Sequence, residues 1–473
     1  MNNPLPFALA GSGKRRLALA GVLVCTVLAS ACANLEPALP AAQPAIATQW
    51  PVTAAAGSQV VADLGWRDFF VDPRLQHLIA QALANNRDLR VTALNVERAR
   101  ALHGLQAADR YPSANLSGGI NRSGALTTST VYSVALGVTA YELDFFGRIA
   151  NLTEAAQRQV LAQEQAQRSA RISLIADVAA VYLNLATDQE LQRISQQTLN
   201  SLNAAHGLME KRFQLGAASG LELSQARTLL EAARADVGRY AGLVATDFNA
   251  LTLLVGAAPD AGSLPQGFNL AVSGVATLPA QLPAEVLLRR PDIAQAEFQL
   301  RATNANIGAA RAAFFPSISL TGSLGTASRE LGDLFQSGTG IWSFIPQIRL
   351  PIFQGERLQA NLGVATADRD IALARYEKAI QSGFREVADA LALNATLTER
   401  RQALQALLAA ATQAQQISQA RYDAGRDSFL VVLDAQRTLY SAQQGLAAIL
   451  LAEQANRVTL YKVLGGGLRE RSS

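Results

Sequence analysis

A chain of 473 residues with 41 Lys and Arg against 37 Asp and Glu carries a formal charge of only +4 at neutral pH. Three of those cations, Lys14, Arg15 and Arg16, precede the apolar run Leu17 to Leu28 and the small residues around Cys32, the pattern of an export signal; without residues 1–31, which hold no acid, the balance falls by three to +1. So small a charge gives nucleic-acid binding no support. Cys25 leaves with the signal, and Cys32 alone excludes an intrachain disulfide.

Two processing chemistries compete at the end of the signal. Leu28-Ala29-Ser30-Ala31-Cys32 resembles a lipobox, with Ala29 where Leu is usual, while Ala29-x-Ala31 and Ala31-x-Ala33 suit ordinary signal peptidase. Acylation gives Cys32 a role it otherwise lacks, so the lipoprotein reading is favoured. Ala33 follows it, and by resemblance to sorted bacterial lipoproteins the Asp that commonly holds them in the inner membrane is absent. Residues 32–65, rich in Ala, Pro, Gln and Thr, read as an extended tether. Beyond the signal no run of 18 uncharged apolar residues occurs, so any membrane crossing must use strands.

Residues 66–110 read as helices, from the spacing of Leu75, Leu78, Ile79, Leu83, Leu89, Val91, Leu94, Val96 and Leu102. Residues 111–142 read as a β-hairpin: Ala114, Leu116, Gly118 and Ile120 alternate with Asn115, Ser117 and Gly119, then Tyr132, Val134, Leu136 and Val138 with Ser133, Ala135 and Gly137. Long helices are expected over 143–256. No Pro lies between Pro112 and Pro259, and an interior Pro would cost about 3 kcal/mol. Their seam is mostly small, with Ala155, Ala162, Ala166, Ser169 and Ala176 near heptad spacing, which suits a curved wall of closely approaching helices. After a linker at 257–284 the plan returns: helices at 285–315, a hairpin at 316–351, long helices at 352–464 and a tail at 465–473. In this second hairpin Ile318, Leu320, Gly322 and Leu324 alternate with Ser and Thr, and Trp342, Phe344 and Ile348 with Ser343, Gln347 and Arg349, interrupted by Pro346.

The chain is thus written twice. Tyr111-Pro112-Ser113 returns as Phe315-Pro316-Ser317, and Arg212-Phe213-Gln214-Leu215-Gly216 as Arg421-Tyr422-Asp423-Ala424-Gly425. Period-two alternation of apolar and small polar residues over about ten positions suits strands with lipid on one face and water on the other. Four strands cannot insert alone, because unpaired backbone groups at an open sheet edge cost several kcal/mol each in lipid. Several chains must share one barrel, and two, three or four copies are allowed by strand arithmetic.

Five motifs in order, Tyr141-Glu142-Leu143-Asp144-Phe145-Phe146-Gly147-Arg148, Arg289-Arg290-Pro291-Asp292-Ile293, Ala309 to Ser317, Leu350-Pro351-Ile352-Phe353 and Leu433-Asp434-Ala435-Gln436-Arg437, closely resemble the TolC-like outer-membrane efflux proteins, and within them the OprM/NodT-type lipoprotein branch. The resemblance covers about Trp66 to Gly467. It implies a mainly α fold with a β membrane part: a homotrimer whose twelve-stranded barrel continues into a long helical coiled-coil barrel. It implies a passive outer-membrane exit duct, gated at its periplasmic helix tips and extending into the periplasm. The implied partners are a periplasmic adaptor, an inner-membrane pump of the resistance-nodulation-division type and outer-membrane lipid.

The resemblance also places a gate in the turns Phe213 to Gln225 and Tyr422 to Asp434. Asp434 matches a conduit-facing carboxylate and Leu430 an apolar constriction. Tyr422 and Glu222 match a pair that ties helix pairs shut, and Asp427 stands where TolC has an Arg. Chemistry is not expected: His77, His103 and His206 are scattered, and no nucleophile elbow or phosphate loop is present, so neither enzyme activity, a metal nor a cofactor is anticipated. The competing function is a lipid-anchored periplasmic coiled coil without channel activity.

Overall fold

The computed structural model describes residues 35–44, 46–47, 65–124, 128–266 and 284–466; the signal, Cys32, most of the tether and most of the tail lie outside them. In chain order the elements are α1 (Trp66–Phe69), α2 (Pro73–Asn85), α3 (Arg87–Ala108), β1 (Ala114–Gly124), β2 (Thr128–Leu143), α4 (Arg148–Gln214), α5 (Gly220–Val255), α6 (Pro291–Ala312), β3 (Ser317–Ser328), β4 (Gly340–Arg349), α7 (Arg357–Asp423) and α8 (Phe429–Val463). The chain gathers into two compact units, one from 1–42, 96–163 and 296–376, the other from 43–95, 164–295 and 377–473.

The first unit holds one antiparallel sheet in the order β1-β2-β3-β4, so β1 and β4 are its edges. Paired residues share a face. One face carries the rungs Leu116–Leu136–Leu324–Trp342 and Ala114–Val138–Gly322–Phe344, with Ile318 opposite Ile348. Leu116, Leu324 and Trp342 are each at least 70% exposed, an apolar belt that none of the described residues covers. The other face carries Asn115, Ser117, Ser319, Ser323 and Ser343. A bulge in β2 between Val138 and Tyr141 keeps the polarity in phase: Ala140 turns to φ 51°, its N–H donates to Thr321 Oγ1 at 3.0 Å, and Tyr141 and Leu143 rejoin the apolar face opposite Leu320 and Ile318. Pro346, which interrupts the alternation, sits on an edge strand, where Pro is tolerated.

The second unit is helical. Asp72 caps α2 by accepting from the Arg74 N–H at 2.9 Å, and its other oxygen accepts from the Tyr182 hydroxyl at 2.7 Å, which fixes α2 to α4. Trp66, Phe69, Phe70 and Tyr461 are all buried to 1% exposure or less, with the Phe69 and Tyr461 rings 4.5 Å apart. Arg290 is buried with three partners: it meets Asp292 through two hydrogen bonds, Glu386 at 2.7 Å and the Val463 carbonyl at 2.8 Å. That net joins the start of α6 to α7 and to the end of α8. A stretch of α4 is apolar enough to cross a membrane, but 61% of it is buried inside the chain, which identifies a packed helix and agrees with the absence of an uncharged apolar run.

Two consequences are measurable. A Cβ added at Gly325 would lie 2.2 Å from the Val134 carbonyl oxygen, so Gly325→Val should split β2 from β3 and lower the melting temperature, read by circular dichroism. Burial and the neighbouring Asp188 carboxyl push Asp247 from the ordinary 3.8 up to about 6, and its Oδ2 has no partner. An acid with a raised native pKa binds more protons folded than unfolded, so its contribution is full below about pH 4 and is lost as pH rises to about 6. Asp247→Asn should therefore raise the melting temperature at pH 8 more than at pH 5.

Candidate functional site

The two helix turns of the second unit are built alike. In the first, Gly216 takes φ 71° and the Ala217 N–H returns to the Arg212 carbonyl at 2.7 Å; in the second, Gly425 takes φ 71° and the Arg426 N–H returns to the Arg421 carbonyl at 2.9 Å. This is the left-handed closure that only Gly adopts without strain, and it explains the repeated aromatic-x-x-Gly. Below the turns a core of Leu202, Met209, Leu230, Phe429, Val432 and Leu433 joins the helix pairs, with Tyr422 packed on it and its ring 5.1 Å from Phe429.

The structure brings the four expected gate residues to these turns, with different partners. Leu430 and Asp434 line one cavity of about 270 Å³ together with Leu229, Leu433 and Arg437. Asp434 is not a bare carboxylate: Arg437, one turn on, donates to its Oδ1 at 2.5 Å. Both side chains are about two-thirds exposed, so the pair contributes only a fraction of a kcal/mol, and the Arg437 cation offsets the negative charge that Asp434 alone would offer. Glu222 and Tyr422 share no hydrogen bond. The Glu222 carboxylate accepts from the Ser219 N–H at 2.8 Å and from its hydroxyl at 3.0 Å, while Ser219 Oγ accepts from the Glu222 N–H, which makes a complete capping box for α5. A Glu spaced three residues after a Ser has this closer partner, which is why it does not reach Tyr422.

The partner of Tyr422 is Arg212, which donates to its hydroxyl and lies 5.6 Å from the ring centre, tying the end of α4 to the end of α7. Asp427 is held by Arg421 through two hydrogen bonds of 2.6 and 2.9 Å, and that contact keeps its carboxyl below the usual range. The residues missed from sequence are thus Arg212, Arg421 and Arg437. Arg212 and Arg421 head the repeated motif, which was the available signal. Among the described residues no group of three or more His, Cys, Asp or Glu is placed to hold a metal ion.

A sheet with one bare apolar face and two open edges, in a chain whose long helices end in tied turns, defines a channel-forming component of a membrane. The family profile described as outer membrane efflux protein matches residues 78–257 and 282–466, one segment for each copy of the repeat. The chain is 44% identical to the antibiotic efflux pump outer membrane protein ArpC of Pseudomonas putida over 93% of both sequences, and 43% identical to the cation efflux system protein CusC of Escherichia coli over 86% of this chain and 89% of CusC. It superposes on the open-state outer membrane channel MtrE of Neisseria gonorrhoeae with a TM-score of 0.85 at 38% identity, covering 92% of this chain and 99% of MtrE. The chain belongs to the outer membrane efflux protein family. Its fold class is that of the family's trimeric channels, a shared twelve-stranded barrel with a helical conduit, and the role of an outer-membrane efflux channel replaces that of a periplasmic structural coiled coil.

The two assignments of Tyr422 separate by additivity. Arg212→Ala and Tyr422→Phe should shift the melting temperature non-additively, whereas Glu222→Gln and Tyr422→Phe should add, because only the first pair is in contact.

Proposed function

We propose that three copies of this chain form the passive exit of a tripartite efflux system, fed by a periplasmic adaptor and an inner-membrane pump of the resistance-nodulation-division type. The observation that supports it is the sheet: its apolar face needs lipid and its edges, β1 and β4, need neighbours, which two further copies supply. Closure rests on Leu430 and Asp434 beside Arg437, with Tyr422 held by Arg212 and the capping box of Glu222 stiffening the facing turn. Opening separates the end of α4 from the end of α7.

The lipid anchor at Cys32 belongs to the same reading. The chain that follows it is fastened beside a membrane strand: Arg311, at the end of α6 and just ahead of β3, donates to the Leu35 carbonyl, and buried Asn304 donates to the Glu36 carboxylate at 2.9 Å and the Pro37 carbonyl at 2.8 Å. A flexible leash would need no such grip. Cargo is left to the pump, since relatives of nearly equal identity are named for antibiotic, toluene and cation efflux.

Planar-bilayer recording tests the gate. Arg212→Ala combined with Asp434→Ala should raise single-channel conductance several-fold over the native protein, and Glu222→Gln should leave it near native; an unchanged double variant refutes these gate residues. Cys32→Ser should abolish palmitate incorporation, and retained label would refute the anchor.

A further inference from the structure

The polar face of the sheet is almost uncharged, and its exceptions gather at one end. By register, the only charged side chains on that face among the described strand residues are Glu142, opposite Ser319, and Arg349, opposite Ser317. Both line a cavity of about 270 Å³ where the ends of β2 and β4 and the start of β3 meet the first turns of α4 and α7, and Arg148, Arg357, Asp144 and the Phe146–Phe315 pair line it too.

The acids of this cavity are already engaged. Glu142 spends both oxygens on Arg148, at 2.9 and 2.6 Å, and Asp144 accepts from the Ala150 N–H at 2.7 Å in the first turn of α4, where the helix dipole offsets its charge. The remaining cations are not engaged by acids among the described residues. Arg357 meets only the neutral Gln354 Oε1, at 3.2 and 2.6 Å, and the exposed guanidinium of Arg349 has no partner among the described residues. Beside them Phe146 and Phe315 stack with centroids 4.7 Å apart and an interplanar angle of 18°.

We propose that Arg349 and Arg357 form an anion subsite at the foot of the barrel, which takes the carboxylate or sulfonate of a single-ring aromatic solute against the Phe146–Phe315 wall. The volume decides the size class, since drug-sized ligands occupy pockets of roughly 300 to 1,000 Å³ and this one falls just below that range. The side decides the source: Arg349 lies on the face opposite the bare apolar belt, so the ligand arrives through water and not as a lipid headgroup. In the trimer the subsite occurs three times around the conduit. The proposal rests on that face lining the conduit, and its test needs no open gate.

Saturation-transfer NMR on the full-length protein in detergent, with benzoate and its neutral analogue benzyl alcohol as probes, provides the test. Benzoate should bind the native protein several-fold more tightly than the alcohol. Arg349→Gln with Arg357→Gln should weaken benzoate by roughly tenfold and leave the alcohol unchanged, as loss of charge-assisted hydrogen bonds requires. Arg349→Lys with Arg357→Lys should retain most of the preference. Equal binding of the two probes by the native protein, or full benzoate affinity in the Gln variant, overturns the subsite. Either result leaves the conductance test of the channel standing.

Discussion

Everything in this chain depends on the backbone hydrogen bonds that β1 and β4 cannot make by themselves. In water an open edge is a liability; in lipid each unpaired group costs several kcal/mol, so the sheet is stable there only when neighbouring copies close it. The apolar belt through Leu116, Leu136, Leu324 and Trp342 then becomes the surface that lipid covers. Small residues on the opposite face serve a related need. At Gly137 and Gly325 a side chain would run into the backbone of the neighbouring strand, so glycine sets how closely β2 and β3 approach.

The helical unit answers a different constraint. Helices of 67 residues, α4 and α7, contain no Pro and end in turns that must reverse the chain within a few residues. Left-handed glycines achieve the reversal, and the orphan carbonyls at each end are satisfied by the returning amides. Rigidity elsewhere comes from buried polar ties, Tyr182 to Asp72 and Arg290 to its three partners, which fix how elements distant in sequence meet. Asp188 beside Asp247 runs against that pattern, two acids facing each other on α4 and α5 with a buried oxygen left unpaired.

Periodicity carried much of this into view. Alternation identified the strands and their two faces, because side-chain direction follows directly from a period of two. The bulge at Ala140 was not legible, since its positive φ is carried by a residue type that gives no warning. Nor was the bond from Arg212 to Tyr422, which joins residues 210 apart on different limbs and depends on packing. Glu222 was assigned by likeness to a residue with a longer-range role, although the Ser219-x-x-Glu222 spacing is itself a capping-box signature and was open to reading. Arg437, three residues after Asp434 on one helix, was equally within reach.

The two copies of the repeat diverge at the point where movement would begin. The first turn is closed by a complete capping box, in which Ser219 and Glu222 satisfy each other's amides, an arrangement worth about 1 kcal/mol to the start of α5. At the matching position of the second turn Ser428 makes no side-chain cap. The chain ahead of it is held instead by the ion pair of an exposed Arg421 with a half-buried Asp427, in a contact that salt screens and a charged neighbour can exchange. The first turn of α8, which carries Leu430, is therefore anchored by the buried side chains of Phe429, Val432 and Leu433 and not by an end cap, and Asp434 follows one turn later. Under the proposed gating, a duplicated limb with one cap removed gives a frame and a moving part from nearly the same sequence, and the moving part is the one that carries Leu430 and Asp434.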